Sequence, residues 1–317
     1  MSLLSICDDI ANDTPVAAPS TIIGNTNRTA SLLLACVNRA GKSLAKYKGG
    51  GWSILGRETT FTTVAIQTTA NQTGGSAVLS GIPSTAGLSP GVFAAAGFGI
   101  PGNTYIQSVD SASQVTLTQP VLAGDDATAN PITFGKFAYP LPSDFRRIIT
   151  DTEWDRQRRW PLIGPRSPQQ WQLYKSGLIG VATFQRRWRI KPLIVAGQLA
   201  NYFCIDPTPT DNGSVLVFEY ISQAWCQSAA GALQATWEAD TDVGVLDEDL
   251  ISLEARWRYL RRLGLSYSEE LDEAMRETAK AFALDGGMPI LDMAPVYSTT
   301  LVGPYNVPET GFGGVTG

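Results

Sequence analysis

Residues 246–286, LDEDLISLEARWRYLRRLGLSYSEELDEAMRETAKAFALDG, decide the fold that this sequence predicts. Leu246, Leu250, Leu253, Trp257 and Leu260 are spaced alternately by four and three residues, so they predict one apolar face of a helix. Leu271, Met275, Thr278 and Phe282 predict the inner face of a second helix a few residues later. The short connection favours an antiparallel pair, and such a pair needs other segments of the chain to cover its apolar faces.

Charged and turn residues predict where the two helices begin and end. The first helix has an acidic first turn and a basic last turn, as the helix dipole favours, and Gly264 can adopt the left-handed conformation that ends a helix. Ser266 and Glu269 match a capping box that would start the second helix. The acidic residues of the first turn are Asp247, Glu248 and Asp249.

The composition excludes several classes of function. The chain has 317 residues, 44% of them hydrophobic and 17% charged, with a net charge of −5 and no histidine. Without histidine, the usual general base and the commonest metal ligand are missing. The four cysteines, Cys7, Cys36, Cys204 and Cys226, form no C-x-x-C pair and are expected to be free, buried thiols. We therefore expect no enzymatic activity, cofactor, metal site or membrane association.

Helices and strands alternate in blocks along the rest of the chain. Asn27 is expected to cap a helix over residues 28–47, and residues 57–69 are rich in strand-forming side chains. Pro168 is expected to begin a short helix that ends near residue 175. Three strands are predicted at residues 184–191, 198–205 and 214–222.

Residues 74–135 differ in composition from the segments on either side. They are rich in Gly, Ala, Ser and Thr, and Asp110, Asp125 and Asp126 are their only charged residues. Short strand-forming pieces alternate with turn signals such as Pro101-Gly102-Asn103. The pattern favours a small all-β module inserted into a host domain over a flexible low-complexity loop.

Two motifs with possible chemistry have simpler explanations. Gly41-Lys42-Ser43 matches the end of a phosphate-binding loop, but Cys36 stands where that loop needs a glycine and no strand precedes it. The carboxylates of residues 247–249 and 269–273 could be paired as catalytic acid and base, but they lie at helix starts, where capping accounts for them.

Eleven of the 24 basic residues lie between Arg146 and Lys191, and Trp154, Trp160, Trp171 and Trp188 are interleaved with them. One interpretation is a nucleic-acid surface with stacking platforms. The other is a contact between copies of the chain, because Arg and Trp are common at interfaces and the chain after Pro192 is acidic. The predicted interface residues are Arg146, Arg147, Arg156, Arg158, Arg159, Arg186, Arg187, Arg189, Asp247, Glu248 and Asp249.

Four blocks resemble the head-to-tail adaptor proteins of short-tailed bacteriophages, also called tail-tubular or connector-type proteins. They are LPSDFRRIITDTEWD, RRWPLIGPRSPQQWQLYKSG, FCIDPTPTDNGSVLVFEYIS and LDEDLISLEARWRYLRRLGLSYSEELDE. The resemblance extends over residues 27–69 and 137–286. Residues 132–137, ITFGKF, and the Gly-rich stretch before them resemble a small β module inserted in several phage structural proteins.

The resemblance implies a non-enzymatic virion protein at the head–tail junction, assembled in the host cytoplasm. Such adaptors bind below the portal protein as homo-oligomeric rings, usually of twelve copies. They contact the tail nozzle or tail fibres and leave a channel for the double-stranded DNA genome.

The expected fold is α+β, with a helical bundle, an antiparallel β domain, an inserted all-β module and an extended arm. The host domain would comprise residues 1–73 and 136–286, the module residues 74–135 and the arm residues 287–317. The prolines of the arm favour extended structure, and the resemblance implies that the arm reaches the portal. The expected portal-docking residues are Ile290, Leu291, Met293, Val296, Tyr297, Leu301, Tyr305 and Phe312.

Two other functions remain open at this point. The chain could be a nucleic-acid-binding module that uses residues 146–191, or a glycan-active tail enzyme with the β module as its binding domain.

Overall fold

A computed structural model describes residues 1–14, 16–176 and 185–286. Helices and antiparallel strands occur together in it, which confirms the mixed α+β class. Two short 3₁₀ turns, Tyr47–Gly49 and Ser53–Leu55, follow the second helix. The α-helices of the described residues are α1 (Leu3–Asn12), α2 (Arg28–Ala45), α3 (Pro168–Ser176), α4 (Glu248–Leu263) and α5 (Ser268–Asp285).

The strands of the described residues are short, with at most ten residues each. They are β1 (Gly56–Thr62), β2 (Ala65–Gln72), β3 (Val78–Ser80), β4 (Phe93–Gly97), β5 (Thr104–Ser111), β6 (Gln114–Leu117), β7 (Ala127–Lys136), β8 (Ala138–Pro140), β9 (Phe145–Ile148), β10 (Trp154–Asp155), β11 (Trp160–Pro161), β12 (Arg187–Val195), β13 (Gln198–Asp206), β14 (Val215–Ser222), β15 (Cys226–Gln227), β16 (Leu233–Gln234) and β17 (Val243–Gly244).

The described residues fall into two compact units. The helical unit comprises residues 1–58, 143–149 and 219–286, and the β unit comprises residues 59–142 and 150–218. Each unit has a separate apolar core. All four cysteines are buried and free, as expected from their spacing.

Helix α4 lies at the centre of the helical unit, where α1, α2 and α5 all contact it. Its buried side chains include Ile251, Ala255 and Tyr259, which share one face at a spacing of four residues. The predicted apolar face was partly wrong, because Leu253 and Trp257 are only partly buried. Leu246, Leu250 and Leu260 of the predicted face are buried as expected. Because three helices contact α4, its buried surface is wider than the face that the leucine spacing indicates.

The ends of α4 follow the sequence signals, whereas the start of α5 does not. The Asp247 side chain accepts a hydrogen bond from the Asp249 N–H at 3.0 Å, and Gly264 ends α4 with φ +77°. The capping box was wrong, since α5 begins after Tyr267 without a side-chain cap. The Tyr267 ring at this position stacks on Trp257 with centroids 6.2 Å apart.

The inner face of α5 differs from its prediction by one residue. Ala274 and Thr278 are buried, and the Phe282 ring packs edge-on against Trp52 at 5.1 Å between centroids. Met275, predicted to face inward, is 60% exposed. The short Ala274 side chain lets α5 approach its neighbours, and the bulkier Met275 projects to the outside.

Six strands of the β unit close into an antiparallel barrel in the order β2-β3-β6-β5-β4-β7. Leu79, Ile106, Val115 and Phe134 are among its fully buried core residues. Closure pairs the first strand with the last, with Ala65 opposite Gly135. A closed barrel leaves no strand edge unpaired. The backbone hydrogen bonds of its strands are therefore satisfied within the barrel, even though many of its side chains are small and weakly apolar.

The predicted bounds of the β module were too narrow for this barrel. Residues 74–135 leave out β2 entirely and the last residue of β7, although β2 supplies one wall of the barrel. The change of composition at Gly74 marks the first turn of the barrel rather than its start. The barrel core also includes Ala138, Trp171 and Cys204 from elsewhere in the β unit.

Strands β12 and β13 form an antiparallel hairpin with nine residue pairs. At its base, Trp188 stacks on Phe203 with ring centroids 5.1 Å apart, and Phe203 stacks on Phe218 at 5.0 Å. Its tip is exposed, with Ile194 70% and Leu199 73% accessible, and these two residues are cross-strand partners. The hairpin is therefore anchored at one end and presents an apolar pair at the other.

Candidate functional site

The arginines predicted to form an interface have several different environments. Arg186 is only 4% exposed. Its Nη1 lies 3.0 Å from Asp155 Oδ2, and its Nη2 lies 3.4 Å from Asp211 Oδ1. Burial lowers the pKa of Arg186, and the charge of Asp155 acts in the opposite direction. Arg186 is therefore a structural residue of the β unit, and its assignment to an intersubunit contact was wrong.

Arg187 is also engaged within the chain. It is 6% exposed, and its Nη1 lies 3.5 Å from Asp206 Oδ2. Its guanidinium lies 3.6 Å from the centroid of the Tyr174 ring, and Lys175 Nζ lies 2.6 Å from Asp206 Oδ1. These contacts fix α3 to the base of the hairpin, so Arg187 was also wrongly assigned to an intersubunit contact.

Arg146 and Arg147 bind main-chain oxygens of the helical unit. Arg146 donates to the Ala45 carbonyl at the end of α2, and Arg147 Nε donates to the Gly49 carbonyl at 3.2 Å. Arg146 is partly buried and Arg147 is exposed. Both satisfy carbonyl groups that a helix end leaves without intrahelical partners.

The remaining predicted interface residues are more accessible. Arg156, Arg158 and Arg159 are exposed and Arg189 is partly exposed. Of the acidic set, Asp247 and Asp249 are exposed, whereas Glu248 accepts from the Gly244 N–H at 3.0 Å. Arg158 Nη2 lies 3.3 Å from the exposed Asp211 Oδ2. A contact between copies stays a prediction for these exposed residues.

Two of the four tryptophans interleaved with the arginines are inaccessible to bases. Trp171 and Trp188 are buried, and Trp154 and Trp160 are partly buried in paired strands. Bases could not stack on the two buried rings without unfolding the β unit. The expected portal-docking residues, Ile290, Leu291, Met293, Val296, Tyr297, Leu301, Tyr305 and Phe312, lie outside the described residues, as does the whole segment 287–317.

Gly41, in the Gly-Lys-Ser motif, lies inside α2 and has a packing role. A Cβ atom at this position would lie 2.1 Å from the ring of Trp225, which is fully buried. The glycine therefore makes room for an indole against the backbone of α2. This agrees with the prediction that the motif is not a phosphate-binding loop.

Glu153 is a buried carboxyl group in the β unit. The residue is 2% exposed, and its Oε1 has no hydrogen-bond partner among the described residues. Burial raises the pKa of Glu153 from 4.5 to about 7, and the charge of Asp151 adds to the effect. The folded protein therefore holds a proton on Glu153 at a pH where the unfolded chain has released it.

We expect the free energy of unfolding to fall as the pH rises from about 4.5 to about 7, because the folded state binds the extra proton in this window. Above pH 7 this loss should amount to roughly 3 kcal/mol. Glu153→Gln should remove this pH dependence and stabilise the protein above pH 7, as measured by urea unfolding at several pH values. Glu269→Gln, at an exposed carboxyl, is the control and should leave the pH profile unchanged.

A cavity of about 550 Å³ in the helical unit is lined by Cys36, Arg39, Trp257, Arg258, Arg261 and Arg262. Two of these residues come from α2 and four from α4, the two helices with the most extensive mutual contact. Arg258, Arg261 and Arg262 are spaced by three and four residues, so they project from adjacent turns of α4. Arg39 reaches the same cavity from α2.

The charges around this cavity are poorly balanced. Arg258 pairs with Glu254 and lies 4.2 Å from the centroid of the Trp257 ring. Arg39 and Arg262 are exposed and have no ion-pair partner among the described residues. Burial raises the pKa of Cys36, and the charges of Arg262, Arg39 and Arg258 lower it by a smaller amount. These three guanidinium groups are therefore close enough to the Cys36 thiol, which lines the cavity, to influence it electrostatically.

Sequence patterns alone did not indicate this cavity. The sequence predicts the arginines near the end of α4 only as the basic turn that the helix dipole favours, and it gives no prediction for Arg39. The only signal in the sequence is the spacing of Arg258, Arg261 and Arg262, which places three cations close together on α4.

A smaller cavity, of about 260 Å³, lies beside β4 in the β unit and is lined mainly by small residues. The described part of the chain contains no cluster of cysteine and carboxylate side chains that could hold a metal ion. Among residues 1–14, 16–176 and 185–286, no helix is long and apolar enough to cross a membrane.

Comparison of the sequence with models of protein families gives no match, and a search of curated proteins gives none either.

Proposed function

We propose that this chain is a ring-forming head-to-tail adaptor that joins the portal of a short-tailed phage to its tail. In this proposal the ring leaves a channel for the genome, and the barrel is an insertion in the host domain. The four sequence blocks support the family assignment. The proposed assembly of copies into a ring rests on one observation, the exposed apolar tip of the β12–β13 hairpin.

The hairpin tip has the character of a contact surface. Ile194 and Leu199 lie opposite each other on neighbouring strands and are both largely exposed. An exposed apolar pair near the end of a hairpin gains stability when another protein surface covers it. The aromatic stack of Trp188 and Phe203 anchors the base of the hairpin. Binding at the tip should therefore cost little conformational entropy.

Charge favours a second copy of the chain as the partner. Residues 219–286 carry 14 acidic and six basic side chains, whereas residues 150–218 carry five acidic and nine basic ones. Arg158 and Arg159 are exposed in the basic segment, and Glu269 and Glu273 are exposed in the acidic one. A head-to-tail contact between such segments repeats around an axis and can close into a ring.

The alternative function, nucleic-acid binding through residues 146–191, receives less support. Arg186 and Arg187 are buried in ion pairs, and Trp171 and Trp188 are in the core. Portal docking by residues 287–317 remains part of the proposal. Removal of this segment should leave the folded units intact and abolish attachment to portal-bearing heads.

The hairpin provides a direct test of assembly. We expect the purified chain to form a ring in mass photometry, and Ile194→Asp with Leu199→Asp to keep it monomeric, because the charged tip cannot be covered. Substitutions at exposed positions usually change stability by only about 0.5 kcal/mol, and the two opposed carboxylates should cost up to about 1 kcal/mol more, so the variant should stay folded and melt slightly below the unmodified chain.

The matched control is Phe98→Asp with Leu122→Asp, which places two charges on exposed apolar positions of the barrel. This control should assemble normally. Electron cryomicroscopy of the intact phage should locate the ring between capsid and tail. A chain that stays monomeric at every concentration, or that is missing from the head–tail junction, would overturn the proposal.

A further inference from the structure

We infer that the arginine-lined cavity between α2 and α4 binds the phosphate groups of a ligand. The cavity is formed within one chain, so the inference does not depend on the proposed ring. It also differs from the nucleic-acid surface predicted at residues 146–191, because its cations come from Arg39, Arg258, Arg261 and Arg262.

The unbalanced charge of the cavity points to an anion. Four guanidinium groups line it, and Glu254 is the acidic side chain that pairs with one of them. Like charges this close repel each other, and an oxyanion between them would turn the repulsion into attraction. Arg39 and Arg262 are exposed and have no ion-pair partner among the described residues, so their donors are available to a ligand.

The number and placement of the arginines favour phosphate over carboxylate. A carboxylate has two oxygens and is satisfied by one or two guanidinium groups, whereas a phosphate group offers more oxygens and carries its charge on all sides. Arg39 approaches from α2 and the other three from successive turns of α4, so donors come from two directions. A volume of about 550 Å³ also exceeds the space that a single carboxylate needs.

The test uses the full chain and four fluorescent or competing probes. They are a 20-base-pair duplex DNA, a nucleoside triphosphate, inorganic phosphate and poly-glutamate as a carboxylate polyanion. The cavity variant is Arg39→Gln with Arg262→Gln, which removes two charges and keeps residue types that suit helices. The control is Arg28→Gln with Arg276→Gln, two exposed arginines of the same unit that do not line the cavity.

We expect at least one phosphate-bearing probe to bind, and the cavity variant to bind it at least about tenfold more weakly. If that probe is DNA, the slope of log affinity against log salt should fall by about one for each phosphate that the variant no longer neutralises. The control variant should bind like the unmodified chain, and the thermal melts of all three proteins should coincide. The probe that binds most tightly identifies the source of the phosphate.

Three results would overturn the inference. They are the absence of binding to every phosphate probe, equal binding by the cavity variant, and tighter binding of poly-glutamate than of any phosphate probe. The last result would instead indicate that acidic side chains occupy the cavity, such as those of a second copy of the chain.

Discussion

Replacing Arg186 with alanine should lower the free energy of unfolding by about 3–5 kcal/mol, because it leaves the buried Asp155 carboxylate without its positively charged partner. The Asp155 side chain is almost inaccessible to water, so solvent cannot replace the missing guanidinium. Urea unfolding at pH 7 measures the difference. A reversal of Arg186 and Arg187 to glutamate would therefore unfold the β unit rather than test an intersubunit contact.

The exposed Arg158 supplies the control for this prediction. Arg158→Ala removes the same kind of side chain from a solvent-exposed ion pair with Asp211, which contributes at most about 1 kcal/mol. Replacing both members of the buried pair, with Arg186→Met and Asp155→Asn, should recover part of the stability that the single variant loses, because asparagine removes the buried charge and its Oδ1 still accepts from the N–H groups of residues 157 and 158. If Arg186→Ala and Arg158→Ala had the same small effect, the structural role of Arg186 would be wrong.

Replacing Phe203 with alanine should also lower the free energy of unfolding by about 3–5 kcal/mol, because it leaves a cavity in the core of the β unit. Phe203 is fully buried, stacks between Trp188 and Phe218, and has the Phe61 ring edge-on at 5.3 Å between centroids. Tryptophan fluorescence during urea unfolding reports the change, since Trp188 stacks on the mutated side chain.

Phe98→Ala is the matched control, because Phe98 is a phenylalanine of the same unit that is 65% exposed. Its replacement should change the free energy of unfolding by no more than about 0.5 kcal/mol. Phe203→Leu should fall between the two, since leucine refills part of the cavity. Equal effects of the alanine variants at positions 203 and 98 would mean that the aromatic stack does not support the hairpin.

The local elements of the fold could be predicted well from the sequence. Asn27 caps α2 by accepting a hydrogen bond from the Thr29 N–H, and Asp247 and Gly264 mark the two ends of α4. The strands β12, β13 and β14 occur where β-forming residues are concentrated. These signals are reliable because capping and turn formation depend on residues within one or two turns of each other.

The candidate sites could be predicted only in part. The run of arginines from Arg146 to Arg189 is evident in the sequence, but residue types do not reveal which guanidinium groups are buried. The capping box predicted at Ser266 is absent, and Tyr267, after which α5 begins instead, stacks on Trp257, a contact that a local motif does not include. The predicted bounds of the barrel were wrong because the amino-acid composition changes at its first turn rather than at its first strand.

The sequence by itself determined the α+β class, the ends of α4, the positions of β13 and β14 and the free state of the four cysteines. Only the tertiary structure decided that Arg186 pairs with Asp155, that β2 closes a barrel with β7, and that Arg39 joins three arginines of α4 around one cavity. Helix ends and strand propensities arise from neighbouring residues. The burial and pairing of a charge depend instead on residues that folding brings together from distant parts of the chain.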